Sequence, residues 1–201
     1  MKAVGAYSSA NSVDDLPIED VVDKICKLNE GIQKFWSNCK GWAPAEAAEL
    51  LGEVRLDWQS DLSRCLRLWI SKDNSEVSNG NLILAWTNLG SLIEGSLKLL
   101  LSVYLKDYLA DLQGAKDAGS LTKGGTPKSP EVLRLQQLKI FFRKKGFLGE
   151  GGDALVDLVQ ARRNTVHAFK STEIGTQSEF EFAVRGYFIL LRNINLSLIH
   201  I

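Results

Sequence analysis

The residues of this chain best suited to chemistry lie in one run, Ala161-Arg162-Arg163-Asn164-Thr165-Val166-His167-Ala168-Phe169. An imidazole, with an unperturbed pKa near ~6.5, moves protons at neutral pH. A guanidinium stays charged and grips phosphate oxygens in a bidentate fashion. Together they suit cleavage of RNA by its own 2′-hydroxyl, the imidazole handling a proton while the guanidinium stabilises charge on phosphorus. The same three residue types on a half-buried helix face also suit a purely structural role, with His167 satisfied inside the fold.

The element that must carry these residues reads as a helix, because Asp153 to Lys170 contains neither Pro nor Gly. At 100° per residue, Leu155, Val159, Val166 and Phe169 share one side, and Arg162 projects into the middle of that apolar stripe. A cation there must be paired, since burying an uncompensated charge costs several kcal/mol. Arg163 and His167, four residues apart, share the neighbouring face. Glu94 is the only acid between Glu76 and Asp107. It is read either as an i,i+4 partner of Lys98 or as the acid that meets Arg162 across the bundle.

The run resembles the signature of the HEPN family (higher eukaryotes and prokaryotes nucleotide-binding domain), an Arg, often followed by a polar residue, then a His after four to six positions. Arg162 to His167 has the family's spacing, whereas Arg163 has the usual Asn behind it but only three residues before His167. Both registers stay open. The resemblance covers roughly residues 81–201 and implies a helical bundle, with the motif on a late helix and one more apolar helix after it. It implies a metal-independent endoribonuclease without a cofactor, in a toxin, phage-defence or RNA-processing setting. Arg162 or Arg163 then holds the phosphate, His167 is the acid or base and Asn164 orients it. The implied partners are RNA or a nucleotide, a second copy of the chain in a homodimer, and an antitoxin or other protein. Some members keep the motif only to bind nucleotide or a partner, so a non-catalytic binding module is the alternative.

Composition restricts the remaining classes. With 201 residues, 45% hydrophobic and 24% charged, the chain suits a soluble globular protein. Zero net charge argues against a polybasic binder. Residues 131–170 nevertheless carry twice as many Lys and Arg as Asp and Glu. Arg143, Lys144, Lys145 and Lys170 are therefore candidate RNA contacts. The first three equally suit capping, because they sit beside Gly146 at a helix C-terminus. Three Cys without a CxxC pattern fit buried thiols in a reducing compartment. Only His167 and His200 are available as imidazoles, so no metal site is expected. The start of the chain lacks the apolar core of a signal peptide, and the tract Leu92 to Leu105 is too short to span a bilayer. These features suggest a cytoplasmic protein that does not enter a membrane.

In order, the pattern predicts an all-α bundle of five to six helices: a loose tail over 1–14 and a single helical domain over 15–201. One helix follows Pro17, with Ile18, Val22, Ile25, Leu28, Ile32, Phe35 and Trp36 at helical spacing. A second spans Pro44 to Lys72, with Leu51, Val54, Trp58, Leu62, Cys65 and Trp69 in one stripe. A third and central one spans Leu82 to Leu112, apolar on nearly every face. The Gly-rich stretch from Gly114 to Pro130 reads as a linker or lid, not a phosphate loop, because its Lys precedes the final Gly pair and no strand leads in. A fourth helix runs from Ser129-Pro130 to Lys145, and Gly149 to Gly152 reads as a turn. The Thr176–Glu179 capping box predicts the last helix from Gln177, with Phe180, Val184, Tyr187, Phe188, Leu191, Ile194 and Leu198 inward and His200 a bystander.

Overall fold

The computed structural model describes residues 13–70, 79–166 and 173–199. Within them, nine α-helices follow one another: α1 Ile18–Trp36, α2 Ala45–Glu53, α3 Leu56–Ile70, α4 Asn79–Val103, α5 Leu105–Ala110, α6 Leu112–Asp117, α7 Leu135–Lys144, α8 Gly149–Arg163 and α9 Gln177–Ile199. Short 3-10 turns occupy Val13–Asp15, Pro130–Val132 and Asn164–Val166. No strand occurs among the described residues, only an isolated bridge between Leu121 and Pro127. The molecule is all-α, with more helices than the five or six expected, because two expected long helices are each broken.

The first break separates α2 from α3. Leu51 and Leu56 are both buried, yet five residues of unbroken helix would set them about 140° apart. An extended Val54 (φ −82°, ψ 152°) re-aims the chain so that both face inward. The buried face of α3 is consequently Leu56, Ser60, Ser63, Leu66 and Ile70. This is rotated from the expected stripe, and Trp58 is exposed. The second set of breaks divides the long apolar helix at Tyr104 and at Asp111, whose carboxylate caps α6 by accepting from Gly114 N–H at 3.1 Å.

Helix α4 is the centre of the bundle, as its all-round apolarity requires. It packs against α3, α8 and α9, and α8 lies against both α4 and α9. The seven inward positions expected for α9, from Phe180 to Leu198, are all buried. One polar chain crosses this core: Tyr187 Oη lies 3.1 Å from Ser96 Oγ, which Gln59 Nε2 also reaches at 3.3 Å. Burial pushes the Tyr187 phenol up to about 12, and its contact with Ser96 opposes this.

Several segments depart from expectation. Residues 13 and 14 belong to a pinned turn, with Val13 buried and its carbonyl accepting from Arg185 Nη1. The Gly-rich segment is tied down rather than loose. Tyr108 Oη donates to Lys128 O at 2.8 Å, and Gln137 Nε2 donates to Gly119 O at 2.6 Å. Pro130 opens only a 3-10 turn, which leaves Val132 exposed, and α7 starts five residues later. Gly149 to Gly152 forms the first turn of α8, with Gly152 buried. Cys26 and Cys39 are buried, Cys65 is half-buried, and all three are free thiols. No described helix is long and apolar enough to cross a membrane.

Candidate functional site

Leu155, Val156 and Val159 fasten α8 to the core. The helix therefore delivers its last residues, Arg162 and Arg163, to the edge of the bundle, where cations complement the C-terminal dipole. Three hydrogen-bond contacts fix the exit from the helix. The backbone N–H of Asn164 reaches the carbonyls of Gln160 and Arg162, and Thr165 Oγ1 donates to Arg162 O at 2.7 Å.

The two adjacent arginines have different fates. Arg162 turns towards α9, where its Nη2 donates to both Glu179 oxygens at 2.9 and 3.1 Å, and its Nη1 donates to Glu173 O at 2.6 Å. Its hydrogen bonds to Glu179 hold its guanidinium pKa above the ordinary value. Gly175 closes over this pair with φ +81°, and a Cβ there would stand 2.2 Å from Glu179 Oε2 and 3.0 Å from Arg162 Nε. Only a glycine suits both the backbone and the space. Arg162 thus sits in the apolar stripe as expected, and the charge that offsets it comes from the helix-capping segment of α9.

Arg163 turns the other way, across α4. Its stem lies on Gly90, where an added Cβ would meet Arg163 Cδ at 2.6 Å. Its Nη1 donates to Glu94 Oε2 at 2.8 Å. Glu94 also takes Lys98 Nζ at 2.9 Å, so the i,i+4 pair is present. The cross-bundle pair forms as well, but with Arg163 rather than Arg162. Burial pushes the Glu94 carboxyl up, and the hydrogen bonds from Arg163 and Lys98 outweigh this, leaving it below its ordinary value.

Arg163 and Asn164 open onto a polar groove of about 550 Å³. Thr87 and Glu94 of α4, Arg134 and Gln136 at the start of α7, and Gln160 of α8 also line it. Gln160 Nε2 donates to Gln136 Oε1 at 2.7 Å. Val166, expected on the apolar side, is exposed at the groove's end. His167, the next residue, and Lys170 lie outside the described residues. Arg134, Gln136 and Gln160 were invisible as a group in the sequence, since α7 and α8 bring them together only through packing.

The expected RNA-contacting cations sit elsewhere. Arg143, Lys144 and Lys145 lie at the C-terminal end of α7, about 15 Å along the helix from Arg134 by its rise per residue. Each has an acid beside it: Arg143 Nη2 meets Asp157 at 2.7 Å, Lys144 Nζ meets Asp117 at 2.6 Å and Lys145 Nζ meets Asp111 at 2.6 Å. Gly146 (φ +62°) ends α7, with Phe147 N–H returning to Phe142 O at 3.1 Å. At the end of α7 these cations complement the helix dipole while their head groups are engaged by the neighbouring acids.

Among the described residues, no three of His, Cys, Asp and Glu converge as a metal ligand set would. The groove's guanidinium and amide groups are of the kind that hold an anion, and the Glu94 carboxylate already occupies Arg163. No family model, curated protein or solved structure matches the chain.

Proposed function

We propose that the groove at the end of α8 binds an RNA strand, and that the chain is a HEPN-like, metal-independent endoribonuclease. The observation that carries this reading is that Arg163 and Asn164, four and three residues before His167, line one polar groove. Arg162, engaged by Glu179, serves the fold. Arg163 is then the motif arginine.

On this reading the substrate's 2′-oxygen attacks the adjacent phosphorus and the 5′-oxygen leaves, forming a 2′,3′-cyclic phosphate. One proton leaves the 2′-hydroxyl and one reaches the departing 5′-oxygen. His167 performs one of these transfers, Asn164 orients it, and Arg163 stabilises the charge on the phosphoryl oxygens. Arg163 must exchange Glu94 for phosphate, which a dianionic transition state favours over a neutral or singly charged ground state. A symmetric homodimer, and a toxin or phage-defence setting with an antitoxin, belong to the same proposal.

Incubation of the purified protein with total RNA in EDTA tests it. Cleavage products should end in cyclic phosphate, and both His167→Ala and Arg163→Ala should abolish cleavage while the helical circular-dichroism spectrum is kept, Arg163→Ala with a lower melting temperature because Glu94 loses a partner. The absence of any cleavage by the wild-type chain, alone and at high concentration, sinks the nuclease.

One observation favours a second reading, a non-catalytic module that binds RNA, nucleotide or a partner protein. Glu94 already satisfies Arg163 at 2.8 Å, an arrangement suited to exchange between two anions without chemistry. That module binds RNA saturably without turnover, and Arg163→Ala weakens the binding.

A further inference from the structure

Arg134 differs from every other arginine in the described structure. Arg55, Arg64, Arg67, Arg143, Arg162 and Arg163 each engage a carboxylate. Arg185 reaches the Val13 carbonyl, and Arg192 lies 5.7 Å from the Phe188 ring centroid. The guanidinium of Arg134 has no carboxylate, carbonyl or aromatic partner among the described residues, although its backbone is held firmly. Its flanking residues Leu133 and Leu135 are buried at 1% and 4% exposure. Its own N–H donates to Gln137 Oε1 at 3.0 Å, and the other end of that amide is tied to Gly119 O. A fixed backbone thus presents an exposed guanidinium, free of any carboxylate, to a polar groove, where an anion need displace no acid to reach it.

The groove chemistry indicates which anion. Arg134 shares the groove with Asn164, with the Arg163–Glu94 pair and with the hydrogen-bonded Gln136 and Gln160 amides. Gln160 Oε1 is buried without a donor among the described residues. A ligand here meets two guanidiniums together with amide donors and acceptors. That set matches a chain of phosphates with hydrogen-bonding units between them better than it matches a single carboxylate. We infer that Arg134 forms a second phosphate subsite of the groove, holding the backbone of a single-stranded RNA one step away from the phosphate at Arg163. This inference rests on the proposed RNA-binding reading and adds a residue that the motif does not contain.

The test measures fluorescence anisotropy of a short fluorescein-labelled 2′-O-methyl oligouridylate, which cannot cleave itself, across a range of NaCl concentrations. Arg134→Ala should weaken binding by about tenfold and reduce the salt slope by about one. Arg134→Lys should restore the slope but only part of the affinity. Arg143→Ala, whose guanidinium is paired with Asp157, should leave both within about twofold. Circular dichroism melting confirms that the exposed substitutions keep the fold. Binding by the wild type with equal effects of Arg134→Ala and Arg143→Ala, or with an unchanged slope in Arg134→Ala, overturns the subsite alone. A wild-type chain that does not bind the oligonucleotide overturns both the subsite and the reading beneath it.

Discussion

Arg162 and Glu179 meet through two hydrogen bonds, at 2.9 and 3.1 Å, and so close the end of α8 onto the start of α9. Their side chains are only 17% and 29% exposed, and Glu179 stands in the capping box that opens α9. Removing the guanidinium leaves a half-buried carboxylate without its main partner. Arg162→Ala should therefore lower unfolding stability by about 1–3 kcal/mol, between the ranges for exposed and fully buried pairs. A double-mutant cycle with Glu179→Gln, read by urea unfolding, should show a coupling of about 1 kcal/mol or more. Independent effects of the two substitutions would contradict the clamp.

Glu94 supplies a pH prediction. Its folded pKa lies below its unfolded value because Arg163 and Lys98 outweigh the effect of burial. Its contribution is thus fully present above the ordinary Glu pKa of ~4.3, and is lost as pH falls through the folded value. The stability gap between wild type and Glu94→Gln should accordingly be widest near neutrality and shrink as pH falls below about 4. Thermal melts of both proteins from neutral pH downwards provide the check. Because Glu94 holds Arg163, the same substitution should tighten oligonucleotide binding several-fold while it destabilises the fold. A loss of both would mean that Glu94 itself contacts the ligand.

The buried Tyr187 hydroxyl gives a prediction at the opposite end of the pH scale. Tyr187→Phe leaves Ser96 without this contact, at an expected cost of about 1–2 kcal/mol. The wild-type phenol is pushed up to about 12 in the folded state, against ~10 when unfolded. Its protonated form therefore stabilises the fold fully below pH ~10, and that contribution is lost as pH rises towards the folded value. Alkaline titration should show wild type losing stability over that interval and Tyr187→Phe losing less.

The sequence was most legible where one face of a helix is buried along its whole length. In α9 the apolar positions recur without interruption, so its start and its inward residues could be read directly. In α1 the start was legible, but Phe35, at helical spacing with the rest, is exposed. The α2–α3 break was hidden because each half is periodic, and only the shared burial of Leu51 and Leu56 requires a change of direction. At the site, a cation in the apolar stripe correctly signalled a cross-bundle partner, but the identity of that partner depended on which way each arginine turned. Gly90 clears a path for Arg163 over α4, and Gly175 seats Arg162 under the loop before α9. Neither glycine differs in sequence from one in an ordinary helix or turn. Arg134 escaped notice for a related reason, since a single Arg before an apolar helix has no pattern until another helix is packed beside it.

Gly90→Ala separates the fold from the function at the groove. In a helix interior, Ala is favoured over Gly by about 0.5–1 kcal/mol. Here the new methyl would stand 2.6 Å from Arg163 Cδ, so the arginine stem must move and its contact with Glu94 is strained or lost. These effects oppose each other, and the net stability change should stay within about 1 kcal/mol. Binding has no such compensation, because a displaced Arg163 no longer presents its guanidinium beside Asn164. Oligonucleotide affinity, and RNA cleavage in EDTA on the nuclease reading, should fall by about tenfold or more while the melting temperature hardly changes. If Gly90→Ala binds and cleaves as wild type does with the fold intact, Arg163 is not the residue that meets phosphate.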